Sequence, residues 1–455
     1  MKILFINPPN SPFTGKNLLI DPIDLLVVAT YIKHQKNEVK VLDMDVEKMS
    51  PEESENIIRS FSPDVVVILF DYHIPLHTSA TLIDILQIAS IAKQYGSYIV
   101  VGGKVATFDK ERLLYEKSPI DFAISYEVEL PLKNFLNALE NKSDIYSIKG
   151  FSYLKDGSIH SNENDVMADF DSLPTPDRSL LNIGKYIDVR TILSSRGCIM
   201  NCIFCATPGF WGRWRSRSPK KVVEEIADLV NNYQAKKILF LDDNAMVSKE
   251  RMAEISRLII KKKIKTKLGC LGSISLFDEE TMKLMYQAGF RWIHYGVESG
   301  NDNILRKINK NITQEQIRDV INKTKEIGFR IRTSWIIDLP NITEGALDDT
   351  LGLIRDTQTD EIRIHYLALR LGSKLQKEHP YDDRNNFQYI HNNHQNVNLS
   401  KLSQTYIQNK VTELLKQLIN ENYFLVESQL DIDKLNSINS GKVVSLCPMK
   451  YGLNW

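Results

Sequence analysis

Cys198, Cys202 and Cys205 stand at C-x3-C-x2-C spacing within Ser194-Ser195-Arg196-Gly197-Cys198-Ile199-Met200-Asn201-Cys202-Ile203-Phe204-Cys205. Thiolates are the usual ligands of iron–sulfur clusters, and a four-iron cubane takes four of them. Three cysteines in one loop leave one iron open, able to bind and reduce a small molecule rather than only relay electrons. The plain alternative is three small apolar residues sharing a loop. The chain has five cysteines in all. With three of them clustered they do not read as a disulfide framework, and thiolates kept for iron need a reducing compartment, which points to the cytoplasm.

Such a loop has to be positioned by regular structure, and 455 residues suffice for two or three domains with real cores. The 57 basic and 57 acidic residues cancel, so nothing in the overall balance points to nucleic acid or an anionic membrane. No run of about 18 apolar residues predicts a membrane-spanning helix, and the apolar start at Met1 is too short for a secretory signal. Over residues 1–145, short β-branched runs alternate with amphipathic stretches, the pattern of βαβ units around a buried parallel sheet. Strands are predicted over 3–6, 39–43, 65–70, 98–102 and 122–126, with helices over 22–35, 51–60, 79–95, 110–116 and 129–141. Ligands of such a doubly wound sheet sit beyond the carboxyl ends of its strands.

Residues 146–188 read as a hairpin around Asp156-Gly157, then a Pro-, Asp- and Ser-rich linker. A second βα series begins at Thr191, with strands predicted over 191–195, 237–242, 267–273, 292–298, 330–337 and 362–369. Helices fall over 220–232, 249–260, 278–288, 314–327 and 344–357. Six such units make a partial (β/α)6 barrel over 189–375, whose active residues come from the carboxyl ends of strands. Residues 376–455 are expected to form a small, mainly helical segment with one amphipathic helix over 400–422; its His379, His391 and His394 have no metal-binding spacing. The fold class is therefore α/β, a doubly wound parallel sheet followed by the barrel.

The cysteine loop, placed directly after the first barrel strand, resembles the radical SAM family. That resemblance implies a [4Fe-4S] cluster on Cys198, Cys202 and Cys205, with S-adenosylmethionine chelated at the open iron. It also implies that Phe204 shields the cluster. Leu241-Asp242-Asp243-Asn244 resembles the family's acidic turn beside the methionine amino group, which would give Asp243 an ammonium to accept from; a helix-capping role for Asp243 or Asn244 is the alternative. Gly296-Val297-Glu298-Ser299-Gly300 resembles the segment near the ribose and methionine, which implicates Glu298 and Ser299. A carboxylate inside the barrel mouth needs a hydroxyl or ammonium partner. Ser334-Trp335-Ile336-Ile337-Asp338-Leu339-Pro340-Asn341 holds the place of a Gly-Leu-Pro-Gly step, with Asp338 and Asn341 where glycines are usual. Ala368-Leu369-Arg370-Leu371-Gly372-Ser373 resembles the turn whose backbone, around Leu371, lies near adenine.

The upstream domain resembles the cobalamin-binding domain that precedes the barrel in one radical SAM subfamily. The residues that carry this are Asn7-Pro8-Pro9 after the first strand and Gly102-Gly103 after the fourth, where a glycine pair lets the backbone approach a bulky ligand. Asp71-Tyr72-His73 mimics the start of an axial-ligand motif, though Leu76 stands where glycine belongs. After the fifth strand the subfamily's Gly-Glu-Gly-Glu is replaced by Tyr126-Glu127-Val128-Glu129, which keeps Glu127 but loses both glycines. The connector Asp171-Ser172-Leu173-Pro174-Thr175-Pro176-Asp177-Arg178 resembles that of the same proteins. So does Arg215-Ser216-Arg217-Ser218-Pro219, which the resemblance places against an anionic group of substrate or cofactor rather than nucleic acid. Cys270 reads as a core residue and Cys447 as a further thiol without a partner motif.

The resemblance implies a cobalamin-dependent methyltransferase acting on an unactivated carbon. One S-adenosylmethionine methylates the corrin, and a second yields the 5′-deoxyadenosyl radical that abstracts a substrate hydrogen. Cyclisation, rearrangement or ring contraction on the same domains is the alternative, and a non-catalytic cobalamin or redox sensor is a third reading. The implied partners are a small-molecule or peptide substrate and a flavodoxin- or ferredoxin-type electron donor.

Overall fold

Runs such as Val65-Val66-Val67-Ile68-Leu69, buried at every position, become the strands of two parallel sheets, because a strand covered on both faces needs apolar side chains on both. The computed structural model describes residues 1–9, 20–70, 72, 82–380, 399–421, 423–426 and 442–446. It divides into a unit centred on Leu19–Ile187 and a unit centred on Asp188–Leu375. His73, His391, His394 and Cys447 lie outside the described residues.

The first unit's sheet contains β1 Lys2–Asn7, β2 Glu38–Asp43, β3 Val65–Leu69, β4 Tyr98–Gly102, β5 Phe122–Ile124, β6 Phe151–Lys155 and β7 Ser158–Ser161. Its order is β2-β1-β3-β4-β5-β6-β7; the first five strands are parallel, and β6 and β7 form an antiparallel hairpin on the β5 edge. Asp156 and Gly157 turn that hairpin with φ of 51° and 72°, the two left-handed residues a two-residue turn requires. The strand order reverses between β1 and β3, so the crevice of this sheet opens beyond Asn7 and Leu69. One predicted element differs. The helix expected over 110–116 is a five-residue helix at Lys104–Phe108 followed by a single turn at Lys110–Arg112, because Asp109, at φ −148° and ψ 45°, leaves the helical region and interrupts the run.

The second unit holds β8 Arg190–Ile192, a two-stranded ribbon of β9 Ser195–Arg196 and β10 Arg215–Ser216, then β11 Lys237–Phe240, β12 Lys267–Gly272, β13 Phe290–Glu298, β14 Arg330–Ile336 and β15 Glu361–His365. The six α-helices between β10 and β15 each start at a side-chain cap: Ser218, Ser248, Asp278, Asn301, Thr313 and Thr343. Thr313 and Gln316 complete a capping box, and each cap contributes about 1 kcal/mol to placing a helix start where the sequence puts it. Residues beyond the barrel supply the expected amphipathic helix, Gln404–Asn420, with Ile407, Val411, Leu414, Leu415 and Leu418 buried along one stripe. They also supply two parallel strands, β16 Tyr423–Val426 and β17 Lys442–Leu446. These extend the sheet to the order β8-β11-β12-β13-β14-β15-β17-β16.

Candidate functional site

The three cysteines follow the end of β8, and two consecutive aspartates after β11 shape the chain that leads to them. Asp242, fully buried, accepts four hydrogen bonds: from Ser194 N at 2.7 Å, Ser194 Oγ at 2.5 Å, Ser195 N at 3.1 Å and Ser195 Oγ at 2.8 Å. Asp243 accepts from Gly197 N at 2.9 Å and Thr207 Oγ1 at 2.7 Å, so it clamps both ends of the cysteine loop. Neither Asp243 nor Asn244 caps the next helix; Ser248 does. Asn244 instead places its amide 3.8 Å from Cys198 Sγ, and Met200 N lies 3.5 Å from the same sulfur. The middle of the loop is pinned from both sides, with Ile203 N donating to Ile308 O at 3.2 Å and Leu375 N donating to Ile203 O at 2.8 Å.

Gly197 has φ of 90°, and a Cβ there would lie 2.7 Å from the carbonyl oxygen of Arg213. Both the backbone conformation and the close approach require glycine. Gly197→Ala is therefore expected to destabilise the unit by about 1–3 kcal/mol and to lower the iron bound per chain after anaerobic reconstitution. Thermal unfolding together with iron analysis checks this.

Burial pushes the Cys198 thiol above its ordinary value, against the lowering effect of the Met200 and Asn244 N–H groups. It pushes the Cys202 thiol up to about 11, with the Lys310 ammonium opposing. Cys202 also feels Cys205 and Cys198, which places the three sulfurs within electrostatic reach of one another. Buried thiols of this kind ionise only if a cation compensates them, so the donor set fits an iron cluster. Among the described residues no three His, Cys, Asp or Glu side chains converge on a single metal ion; a cubane makes no such demand, since each thiolate takes a different iron.

Glu298 ends β13 at a register shift between Gly296 and Glu298, with a left-handed φ of 75°. Such a bulge re-aims a side chain. The Glu298 carboxylate is turned to Lys310 Nζ at 3.3 Å, which supplies the ammonium partner expected from the sequence. A Cβ on Gly296 would collide with the Glu298 carboxylate and approach Lys310 Nζ to 3.2 Å, so glycine at 296 makes room for the pair. Burial works against the charge on Lys310, but Glu298, Cys202 and Cys205 outweigh it and raise its pKa. Lys310 carried no signal at the sequence level; its loop is set against the cysteines by Asn309, whose side chain donates to Asn201 O at 3.3 Å.

The other barrel expectations divide. Ser334 Oγ lies 2.6 Å from His294 Nε2, Phe204 is half-buried within the loop, and Leu371 is buried beside Gly372 at φ 86°. The Ser299 hydroxyl is fully buried, 3.1 Å from Thr350 Oγ1, and accepts from Asn301 N at 3.2 Å. Gly300 packs directly on the helix backbone at Asp349 and Thr350, which turns the Ser299 side chain into that packing. The basic run also turns inward. Arg215 and Arg217 are buried, Arg217 pairs with Glu225, and Arg251 donates to Arg217 O and Ser194 O, both at 2.9 Å. These arginines build the scaffold under the cysteine loop.

In the first unit the candidate residues collect at the carboxyl ends of β1, β3, β4 and β5. Asn7 donates to Asp43 Oδ1 at 2.8 Å, and Tyr186 donates to Asp43 Oδ2 at 2.6 Å. Burial raises the Asp43 carboxyl, with both hydrogen bonds opposing. Pro8 is buried at the same edge. Gly103, at φ 123°, starts the helix Lys104–Phe108. Gly102, Tyr72 and Glu127 make contacts within the protein at this edge. A Cβ on Gly102 would lie 2.5 Å from Val128 Cγ2, so the space that this glycine leaves is taken by Val128. Tyr72 is buried, its hydroxyl donating to Glu129 at 3.3 Å and accepting from Val128 N at 3.1 Å. Glu127 is buried and accepts from Met167 N at 2.6 Å. The side chains of Tyr72 and Glu127 hold this edge together from within. The carboxyl ends of β1 and β3, between which the strand order reverses, and the backbone at Gly103 are where a doubly wound sheet meets its ligand.

Comparison with known proteins agrees with this geometry. Residues 192–354 match the family model of the Radical SAM superfamily, and residues 17–136 match that of the B12 binding domain. An uncharacterized methyltransferase of Pyrococcus horikoshii is 28% identical over 385 residues, covering 82% of this chain and 82% of that protein. The anaerobic magnesium-protoporphyrin IX monomethyl ester cyclase of Synechocystis is 24% identical over 388 residues, covering 81% and 75%. Among solved structures, the cobalamin-dependent S-adenosylmethionine radical enzyme OxsB with aqua-cobalamin and S-adenosylmethionine bound superposes with a TM-score of 0.68 at 19% identity. That match covers 78% of this chain and 51% of OxsB, so the chain spans about half of that enzyme's length. The two domain matches fall in order on the two sheets described, and by them the chain belongs to the radical SAM enzymes that carry a B12 binding domain ahead of the barrel.

Proposed function

We propose that this enzyme is a cobalamin-dependent radical SAM methyltransferase acting on an unactivated carbon. The observation that carries the reading is the buried three-thiol loop clamped by Asp242 and Asp243 at the carboxyl edge of the barrel sheet, in a chain whose upstream sheet matches a B12 binding domain. When bound, the cluster with S-adenosylmethionine supplies a route to a carbon radical, and the corrin supplies a transferable methyl group. Cys198, Cys202 and Cys205 would each hold one iron. Asp243 would accept from the cosubstrate's ammonium, Glu298 with Lys310 and Ser334 with His294 would orient its ribose and methionine, and Phe204 and Leu371 would exclude water. Asn7, Pro8 and the Gly103 backbone would support the corrin. Residues 1–145 would form the corrin-binding domain and 189–375 the catalytic barrel. Among the described residues no helix is long and apolar enough to cross a membrane; a reducing cytoplasm with a flavodoxin- or ferredoxin-type donor suits the thiols.

The test is anaerobic reconstitution with iron, sulfide and hydroxocobalamin, followed by reduction with S-adenosylmethionine and candidate substrates. Methylation predicts 5′-deoxyadenosine and S-adenosylhomocysteine together, with a product heavier by one methyl group. The similarity to a cyclase favours a second reading, radical chemistry without methyl transfer, in which 5′-deoxyadenosine forms and the product gains no methyl. Corrin that washes away on gel filtration sinks the cobalamin assignment. Bound cofactors with no 5′-deoxyadenosine would leave the sensor reading.

A further inference from the structure

The thiols of the cysteine loop do not have equivalent surroundings. Cys198 Sγ has two N–H groups beside it, Met200 N at 3.5 Å and the Asn244 side-chain amide at 3.8 Å. Among the described residues no N–H donates to Cys202 Sγ, which instead faces the carbonyl oxygen of Asn309 at 4.0 Å. Positive charge stands there in place of a hydrogen bond. Lys310, the next residue along, is buried and pairs with Glu298 at 3.3 Å, and its ammonium acts on both Cys202 and Cys205.

Both outer groups are held by the rest of the chain. Asn244 follows the two aspartates that clamp the loop, and Ala245 N ties the same segment to Leu271 O on β12 at 2.9 Å. Asn244 Oδ1 accepts from Met246 N at 3.0 Å. That bond identifies the acceptor end of the amide, so its NH2 end is the one turned to Cys198. Asn244 is only 4% exposed, which leaves the donor no water to turn to. Lys310 stands between Asn309 and Asn311, both left-handed at φ of 58° and 52°, a conformation asparagine tolerates. Lys310 N donates to Leu305 O at 2.9 Å, and Ile203 N donates to Ile308 O at 3.2 Å, which seats this turn on the cysteine loop. Hydrogen bonds to the sulfurs and nearby net charge set the reduction potential of an iron–sulfur cluster. Reduction adds one negative charge. A donor at a sulfur or a neighbouring cation therefore favours the reduced form and raises the potential, and a neighbouring carboxylate lowers it.

We propose that Asn244 and Lys310 set the reduction potential of the cluster this loop holds: Asn244 by hydrogen bonding to the Cys198 sulfur, Lys310 by its charge beside Cys202, with Glu298 opposing. This rests on the iron–sulfur reading above and adds how the protein tunes that centre. The test is a potentiometric titration of the anaerobically reconstituted full chain, without S-adenosylmethionine or substrate. The protein is reduced stepwise with dithionite and mediators, and the electron paramagnetic resonance signal of the reduced cluster is followed. Dithionite supplies the single electron, and no bond forms or breaks. Asn244→Ala and Lys310→Met should each shift the reduced-to-oxidised ratio at a given potential about tenfold toward the oxidised form, ~59 mV for one electron. Glu298→Gln should move the midpoint the opposite way. Iron and sulfide per chain are measured on the same samples, so that each midpoint is read from bound cluster. A merely structural residue would change the iron content and leave the midpoint of the remaining cluster where it was. An unchanged midpoint, or loss of the cluster, in either variant overturns the role of that residue, and a shift of Glu298→Gln in the same direction as Lys310→Met overturns the electrostatic assignment. Wild-type protein that binds no cluster would sink the iron–sulfur reading itself, which keeps the two failures distinct.

Discussion

Cys202→Ala is expected to lower 5′-deoxyadenosine formation more than about a hundredfold, beyond the 10–100-fold range typical for loss of an outer partner of a metal site. Cys202 is the most buried of the three loop cysteines, and its thiol feels Lys310, Cys205, Glu298 and Cys198 at once. Removing it takes away one of the three thiolates proposed to hold the cluster and leaves the Glu298–Lys310 pair facing a gap. The direct readouts are iron and sulfide per chain and the visible absorbance of the reconstituted protein, all of which should collapse toward background. Cys270 is the control. It is fully buried within β12, outside the loop, and Cys270→Ala should keep the cluster and cost only modest stability. Undiminished 5′-deoxyadenosine from Cys202→Ala, or equal iron loss from Cys270→Ala, would sink the assignment of the cluster to this loop.

That loop was legible in the sequence because covalent spacing alone brings three thiols together. The strands were legible because apolar, β-branched runs bounded by polar turns have few other uses. What escaped was set by contacts distant in sequence. Nothing local in Lys310 says that it meets Glu298, and Asp242 gathers two serines 47 and 48 residues away. The strands β16 and β17 are four- and five-residue runs without a period, which a sequence reading cannot separate from loop. The altered glycines are instructive because the backbone answered them differently. Tyr126 and Asn341 keep the left-handed conformation, at φ of 60° each. Asparagine tolerates that region; Tyr126 is held in it by its N–H donating to Thr107 Oγ1 at 2.9 Å. Val128 is instead helical, at φ −94°, and its side chain fills the space before Gly102. Asp338 takes a new task, bonding Leu367 N across from β14.

Arg178→Met should cost the first unit about 3–5 kcal/mol, a large part of the 5–15 kcal/mol that holds a typical domain. The connector that the sequence presents as a linker is fastened to the sheet's helix. Arg178 and Asp21 are both wholly buried and meet at 3.1 Å; Arg178 also donates to Pro176 O at 3.4 Å. Next to it Asp177 N donates to Thr30 Oγ1 at 2.8 Å, and Asp177 pairs with Lys33 at 2.6 Å. Losing the guanidinium leaves the Asp21 carboxylate buried with its ionic partner gone, and that uncompensated charge is the source of the cost. Lys33→Ala removes an ion pair whose lysine is 40% exposed, and should cost below about 1 kcal/mol. The double variant Asp21→Leu/Arg178→Met removes both charges, and should recover most of the stability lost in Arg178→Met alone. Urea unfolding of the three variants separates these cases. Equal midpoints for Lys33→Ala and Arg178→Met would show that the buried pair contributes no more than a surface one. A double variant no more stable than Arg178→Met would show that lost packing, rather than the stranded carboxylate, sets the cost.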